Sequence, residues 1–178
     1  MYPNFNVNWK NYWAKAFVFD ALIGNTDRHQ DNWGIIIAAN YNDSKQDKPV
    51  IKSVRISPVF DNGTSMGHEI SSKKFKGFED KNRVRKYILK GHHHMKWNIN
   101  DAFPMKHAEM LKKIAGRFPE THSIMQNCLK SVNCENFRKV LDDLVTFHVP
   151  VKLTVERANF MLELLQYRHE YLLDELGN

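Results

Sequence analysis

The chain has 178 residues, of which 42% are hydrophobic and 26% are charged, and its lysines and arginines exceed its acidic residues to give a formal net charge of +6. This composition is typical of a globular protein with one core, and the length is short for a two-lobed enzyme. No apolar run approaches the roughly 20 residues of a membrane helix, and the first residues lack the pattern of a secretory signal. We therefore expect one domain, residues 1–178, in the cytoplasm and away from membranes.

The first predicted element is a helix from about Asn8 to Ile23. Aromatic and small residues recur at steps of three and four, which predicts a stripe that faces the core: Trp9, Tyr12, Trp13, Ala16 and Phe17. Asp20 continues this stripe, and two interpretations of it stay open. It is either a buried carboxylate that braces the following loop through hydrogen bonds, or a carboxylate that faces water at the helix end.

A β-hairpin is predicted next. Two apolar runs, Trp33–Ala39 and Val50–Phe60, flank a polar, turn-forming insert, Asn40–Lys48. The hairpin follows the segment Gly-Asn-Thr-Asp-Arg-His-Gln-Asp-Asn at 24–32 and precedes Pro-Val-Phe-Asp-Asn-Gly at 58–63. A hairpin between these two segments presents its two ends to one cleft.

The residues at these ends fit phosphoryl transfer. Asp27 and Asn32 have the D-x-x-x-x-N spacing of a kinase catalytic loop, in which a carboxylate accepts the proton of the attacking hydroxyl and an amide oxygen binds magnesium. A hard ion held by few protein oxygens needs an anionic ligand nearby, and Asp61 is the predicted second ligand. The predicted cofactors are therefore ATP and Mg²⁺.

A basic segment from Lys73 to Lys96 follows, with nine lysines and arginines against Glu79 and Asp80. Such a surface attracts phosphate in a nucleotide, a nucleic acid or an acidic protein, although charge runs are also common on faces that contact only water. The segment lies where kinases keep their activation and substrate-binding segment, which favours a role that faces the acceptor. Phe75 and Phe78 within it predict that the segment folds back onto the protein.

The histidine triplet His92–His94 is not expected to bind a metal ion, because three consecutive side chains diverge around a backbone. One of these histidines is a candidate for contact with a phosphate or an acceptor. Cys128 and Cys134 are predicted to be reduced structural thiols.

Four helices are predicted in the remaining chain. One begins near Pro104, a second contains Cys128, and a third buries one apolar face; the face residues of the third are Phe137, Val140, Leu141, Leu144 and Val145. The last and longest runs from about Thr154 to Leu176, with Val155 and several leucines on its buried stripe. His169 on that stripe is interpreted as a core histidine with a hydrogen-bond partner.

The segments at 19–34 and 58–63 resemble the HipA-like kinase family, the serine/threonine kinases of bacterial toxin-antitoxin systems, over about residues 17–67. The resemblance implies an α+β, mainly α-helical protein-kinase-like C-terminal lobe with a small β-hairpin carrying the active site. It implies Asp27 as catalytic base, Asn25 and His29 as neighbours that shape the catalytic loop, and Asn32 and Asp61 as magnesium ligands. The implied partners are a protein substrate and either a separate amino-terminal lobe or an antitoxin, with nucleic acid contacted only indirectly.

Two departures from this family limit the resemblance. Many members have a lysine immediately before the metal-binding asparagine, where this chain has Asp31. None of the eight glycines lies in a phosphate-cradling motif, so we expect the amino-terminal nucleotide-binding lobe to be absent from this chain. A similar loop occurs in type II phosphatidylinositol kinases, which leaves the acceptor open.

Two other functions compete with the kinase. The first is a noncatalytic relic of a kinase lobe that binds protein or nucleic acid through its basic segment. The second is a metal-dependent nuclease that uses Asp27, His29, Asp31 and Asp61.

Overall fold

A computed structural model of the protein describes residues 8–40 and 50–177. The helices of this part are α1 (Trp9–Ile23), α2 (Lys81–Lys90), α3 (His107–Arg117), α4 (Glu120–Lys130), α5 (Cys134–Val145) and α6 (Val155–Gly177), and the strands are β1 (Ile35–Asn40) and β2 (Val50–Ile56). Two short 3₁₀ helices span Gln30–Asn32 and Ser72–Phe78. The predicted α+β, mainly helical class is confirmed. None of the helices described is long and apolar enough to cross a membrane.

Helix α1 lies at the centre of the main core, where it contacts α3, α4 and α6. The Asn8 side chain caps its start by accepting the N–H of Asn11, and the helix ends at Gly24, whose φ of 71° is left-handed. The buried residues around α1 form one apolar cluster that includes Ala14, Phe17, Val18, Ala21, Leu111, Met125, Leu129 and Leu172. This cluster fixes the position of the loop that follows α1.

The predicted aromatic stripe of α1 is wrong at its amino-terminal end. Trp9 is 50% exposed, because the first turn lies at the edge of the bundle and its ring meets Phe118 edge to face at 5.5 Å. Tyr12 and Trp13 are half-buried, and the fully buried face lies further along the helix. Asp20 is completely buried, which decides between the two interpretations in favour of the bracing role.

The hairpin is confirmed, and its second strand is shorter than predicted. β1 and β2 pair in antiparallel fashion from Ile35 opposite Ile56 to Asn40 opposite Val50. β2 ends before Pro58 and not at Phe60, since proline has no N–H to donate to a neighbouring strand. Most of the predicted polar insert lies outside the described residues. Each strand makes its main contacts with the other, and four large apolar side chains of the strands are exposed: Ile35, Ile36, Ile37 and Val50.

The basic segment packs against α6 through its aromatic residues, as predicted. The Phe75 ring stacks on Phe160 with ring centres 4.4 Å apart, and Phe78 meets the same ring edge to face at 5.2 Å. Val84 and Ile88 bury one side of α2 in this second cluster. The lysines and arginines of α2 lie on its exposed side.

The carboxyl-terminal helices confirm one prediction and correct another. α3 begins at His107, close to the predicted start near Pro104. On α5 only Leu141 is fully buried, whereas Val140 is 53% exposed and Leu144 is also exposed, because α5 packs along one narrow line against α6. The predicted apolar face of α5 is therefore wrong over much of its width.

The predicted buried stripe of α6 is mostly confirmed. Its leucines Leu162, Leu165, Leu172 and Leu176 are buried, but Val155 in the first turn is exposed. The Nε2 atom of His169 lies 2.8 Å from the Leu129 carbonyl oxygen, so this histidine has the partner that was predicted. Cys128 and Cys134 are both free thiols.

Candidate functional site

The loop after α1 is shaped by Asn25, which is completely buried. Its side-chain oxygen accepts the Asp27 N–H at 3.1 Å and the Thr64 hydroxyl at 2.7 Å. Its side-chain nitrogen donates to Asp20 at 3.1 Å. Asn25 therefore holds the loop in its conformation and ties it to the segment after the hairpin.

Arg28 is the centre of the site, and it is completely buried. It donates to both carboxylate oxygens of Asp20, at 3.1 Å from Nε and 2.6 Å from Nη2. It also donates to three groups in the flanking segments, namely the carbonyl oxygens of Asn32 and Phe60 and the side-chain oxygen of Asn62. We call these contacts the Arg28 network. They hold the end of loop 24–32 against the turn that contains Asp61.

Asp20 is the anionic partner of this network. Burial raises the pKa of its carboxyl group above the ordinary value, while the hydrogen bonds from Arg28 and the charge of Arg28 oppose that rise. Two hydrogen bonds from one guanidinium to both oxygens are typical of an ionised carboxylate. A buried charge without such a partner would destabilise the fold. Asp20 and Arg28 therefore depend on each other.

Asp27 and Asn32 lie at the two ends of a tight turn. The Asn32 side-chain nitrogen donates to the Asp27 carbonyl oxygen at 2.6 Å, which leaves the side-chain oxygen of Asn32 as its acceptor atom. Asn32 is only 2% exposed, whereas the Asp27 side chain is 44% exposed. The carboxylate of Asp27 can therefore reach a substrate, and the asparagine is fixed beside it.

Two histidines flank the Asp27 carboxylate. The Nε2 atom of His29 lies 4.0 Å from Oδ2, and the Nδ1 atom of His94 lies 3.4 Å from Oδ1. The His29 ring accepts the Asp31 N–H at its Nδ1 atom, so the neutral ring carries its proton on Nε2, towards Asp27. The two rings are 5.7 Å apart. His29 lies beside Asp27, and His94 is the member of the triplet that approaches the same carboxylate.

Asp61 occupies a strained backbone position. Its φ of 52° lies in the left-handed region, and its side chain is exposed. The residues on both sides are held by the Arg28 network, and the Asn62 carbonyl oxygen accepts the Ser65 hydroxyl at 2.6 Å. One nitrogen of Arg28 binds the carbonyl oxygens of both Asn32 and Phe60, so the two predicted magnesium ligands belong to neighbouring backbone segments.

A pair of buried histidines lies beneath the loop. His107 places its Nε2 atom 3.0 Å from the Asn25 carbonyl oxygen, and burial lowers its pKa to about 3. His93 lies between Phe17 and His107, with ring centres 4.8 Å and 4.5 Å away, and burial lowers its pKa well below the ordinary value. Both rings are therefore neutral at pH 7. The three residues of the triplet occupy different environments, because His92 is exposed, His93 is buried and His94 contacts Asp27.

The predicted site residues lie around the Arg28 network, which the sequence prediction did not include. One indication of this network is present in the sequence, which is that Arg28 stands next to Asp27. Its burial, and therefore its need for hydrogen-bond acceptors, is visible only in the structure. Among the described residues, no group of three or more histidine, cysteine, aspartate and glutamate side chains is arranged to hold a metal ion. The predicted magnesium ligands are one amide and one carboxylate, which fits an ion that keeps several waters and binds phosphate oxygens.

Comparison with known proteins adds no relative, because no family model, curated protein or solved structure matches the chain.

Proposed function

We propose that this chain is the catalytic carboxyl-terminal lobe of a HipA-like serine/threonine protein kinase. It transfers the γ-phosphate of ATP to a protein hydroxyl once an amino-terminal lobe completes the nucleotide site. The observation that supports the proposal most is the Arg28 network, which joins the loop of Asp27 and Asn32 to the turn of Asp61. A catalytic base and two oxygen ligands on adjoining segments are what phosphoryl transfer requires.

In this reaction the exposed Asp27 carboxylate accepts the proton of the acceptor hydroxyl as its oxygen attacks the γ-phosphorus. The bond between the γ-phosphorus and the β,γ-bridging oxygen breaks, and ADP leaves. Magnesium, when bound, neutralises charge on the phosphates, and Asn32 and Asp61 are the residues that would hold it. His29 and His94 lie on either side of the Asp27 carboxylate, with ring nitrogens 4.0 Å and 3.4 Å from its oxygens.

The first experiment tests phosphoryl transfer. The chain is mixed with a complementary HipA-like amino-terminal lobe, magnesium and radiolabelled ATP, and label in protein is measured. Asp27→Asn is expected to lower the rate by about 10²-fold to 10⁴-fold, the usual contribution of a general base. Asp31→Asn is the matched control, because its side chain is 78% exposed and has no role in the proposed transfer.

The outcome also separates the kinase from the nuclease. A kinase keeps its activity in Asp31→Asn and loses it in Asp27→Asn. Magnesium-dependent cleavage of nucleic acid by the chain alone, lost in both variants, would establish the nuclease and overturn the proposal.

The second experiment locates the metal on the chain itself. Mn²⁺ replaces Mg²⁺, and the broadening of backbone amide signals by the paramagnetic ion is mapped by NMR. We expect broadening near Asn32 and Asp61 that Asp61→Asn reduces, since asparagine tolerates the left-handed backbone while removing the charge. Asp142→Asn on α5 is the control. Broadening centred elsewhere, or unchanged in Asp61→Asn, would contradict the assignment of these ligands.

The noncatalytic binding module has one observation in its favour, which is the row of exposed cations on α2: Lys81, Arg83, Arg85, Lys86 and Lys90. If no complementary lobe restores transfer, and a labelled nucleic acid or acidic protein binds with an affinity that falls steeply with salt, this function replaces the kinase.

A further inference from the structure

A cavity of about 360 Å³ lies beside loop 24–32. One of its lining residues is Thr26, which directly precedes Asp27. Its other walls come from the segment after Asp61, the end of α2 and the middle of α6. The residues that matter for its chemistry are Thr26, Thr64, Tyr87, Lys90, His92 and Arg168. None of the phosphoryl-transfer roles proposed above uses this cavity.

Arg168 is the unexplained group of the cavity. It is only 3% exposed, and its Nε atom has no hydrogen-bond partner among the described residues. Its Nη1 atom lies 3.5 Å from the Ala21 carbonyl oxygen, which is at the limit of a hydrogen bond. The ion pairs found in the described part of the chain do not include Arg168, unlike Arg28, which has Asp20. Burial lowers the pKa of Arg168.

The position of Arg168 is built into the backbone. A Cβ atom on Gly24 would lie 2.5 Å from the guanidinium carbon, so a larger residue at position 24 would displace the guanidinium from this place. The guanidinium also lies over the Tyr87 ring, 5.5 Å from its centre. A buried guanidinium needs partners that replace its lost hydration. Those of Arg168 are the Tyr87 side chain and the charge of Glu69, with which it forms no direct ion pair among the described residues. The fold holds it in the wall of an open cavity.

Besides Arg168, the cavity is lined by one lysine and one glutamate, together with two histidines. Lys90 and His92 lie at its rim, on the exposed surface. The one acidic lining residue, Glu69, accepts the Tyr87 hydroxyl at 2.9 Å and lies 3.3 Å from His68 Nδ1, so its carboxylate already has partners. An anion in the cavity would therefore meet two cationic side chains, Arg168 and Lys90, and one carboxylate that already has hydrogen-bonding partners.

We propose that this cavity binds a phosphate group, with Arg168 as the buried ligand and Lys90 as the ligand at the rim. A planar guanidinium matches phosphate oxygens in pairs, and such charge-assisted hydrogen bonds are among the stronger ones in proteins. The source is either free inorganic phosphate or a phosphorylated side chain, and the volume admits both. The proposal does not depend on the kinase function, because binding here requires neither ATP nor magnesium.

The test is a titration of the whole chain, without nucleotide or metal, followed by backbone NMR. The probes are inorganic phosphate, N-acetyl-phosphoserine amide and, as a control of single charge, acetate. We expect phosphate and phosphoserine to shift the amide signals of Gly24, Thr26 and Gly91, and acetate to have little effect. Tighter binding of the phosphoserine compound would identify a phosphorylated side chain as the source, and equal or weaker binding would identify free phosphate.

Two variants test the ligands. Lys90→Ala is expected to weaken phosphate binding about threefold to tenfold, while Lys86→Ala, an exposed lysine of the same helix outside the cavity, leaves it unchanged. Arg168→Lys keeps the positive charge but removes the paired N–H groups of the guanidinium, and it is expected to weaken phosphate binding about tenfold or more. Absence of any shift at the cavity amides at tens of millimolar phosphate, or equal affinity in Lys90→Ala and Lys86→Ala, would overturn the proposal even if the Arg168 variant does not fold.

Discussion

Replacement of Arg28 by methionine is expected to destabilise the protein by about 3 to 5 kcal/mol, the usual cost of removing one partner from a buried ion pair. The substitution keeps much of the apolar volume but removes every donor of the Arg28 network. Asp20, which is completely buried, then retains only the hydrogen bond from Asn25. A loss of this size is a large part of the 5 to 15 kcal/mol of a typical domain.

A double-mutant cycle separates the orphaned charge from the lost packing. Asp20→Asn removes the carboxylate charge, so the combination of Asp20→Asn and Arg28→Met is expected to be more stable than the sum of the single effects by about 0.5 to 3 kcal/mol. Arg138→Met on α5 is the matched control, because that arginine is exposed and should change stability by less than about 0.5 kcal/mol.

The assay is urea unfolding at pH 7, followed by far-ultraviolet circular dichroism, with the slope m compared among the variants. If Arg28→Met unfolds within 1 kcal/mol of Arg138→Met at equal m, the Arg28 network does not support the fold as we have argued. A large loss without any coupling to Asp20→Asn would show that packing, and not the ion pair, is the source of the effect.

Three further predictions concern the surroundings of the loop. The unfolded chain binds a proton at His107 near pH 6.5, whereas the folded protein binds it near pH 3, so stability should fall as pH is lowered, by about 2 kcal/mol at pH 5 from this residue. His107→Gln should reduce that pH dependence, and His148→Gln, at an exposed position, should not. Gly24→Ala should cost about 1 to 3 kcal/mol because of the left-handed φ, whereas Gly116→Ala, inside α3 with open space around it, should stabilise the protein by about 0.5 to 1 kcal/mol. Asp27→Asn should change the free energy of unfolding by less than about 0.5 kcal/mol, since its side chain is half exposed.

Urea unfolding at a series of pH values checks the first of these, and thermal unfolding checks the other two. Equal pH dependence in His107→Gln and the unmodified chain would contradict the buried neutral histidine. Equal effects of the two glycine substitutions would contradict the requirement for glycine at position 24. If Asp27→Asn unfolds, Asp27 is needed for the stability of the fold, and the activity lost in this variant would not then show a catalytic role.

The sequence predicted the parts of the site that depend on local order. The D-x-x-x-x-N spacing, the apolar runs of the hairpin and the turn at Asp61 are each contained in a few residues, and the corresponding elements exist. Burial of Asp20 was one of two open interpretations. A helical stripe indicates which side of the helix a residue faces, but not whether a hydrogen-bond partner lies on that side. The partner of Asp20 is Arg28, eight residues further along the chain, whose side chain points back towards Asp20 after α1 has ended.

Several contacts that the sequence did not predict join distant parts of the chain. His94 approaches Asp27 from 67 residues away, and Arg168 reaches Gly24 from the last helix. No periodicity encodes such approaches, since they follow from how α2, α3 and α6 pack. The same reason explains the exposed face of α5, because an amphipathic pattern shows which residues are able to be buried and not how wide the neighbouring surface is.

The hairpin between the two halves of the site acts as an arm that projects from the helical body. A two-stranded sheet alone is barely stable in water, and here its strands lean mainly on each other. Since Arg28 joins the chain on both sides at the base of this arm, the strands can separate while Asn32 and the Asp61 turn stay together. Changes in the length of the arm would therefore alter how far it extends and leave the Arg28 network at its base intact.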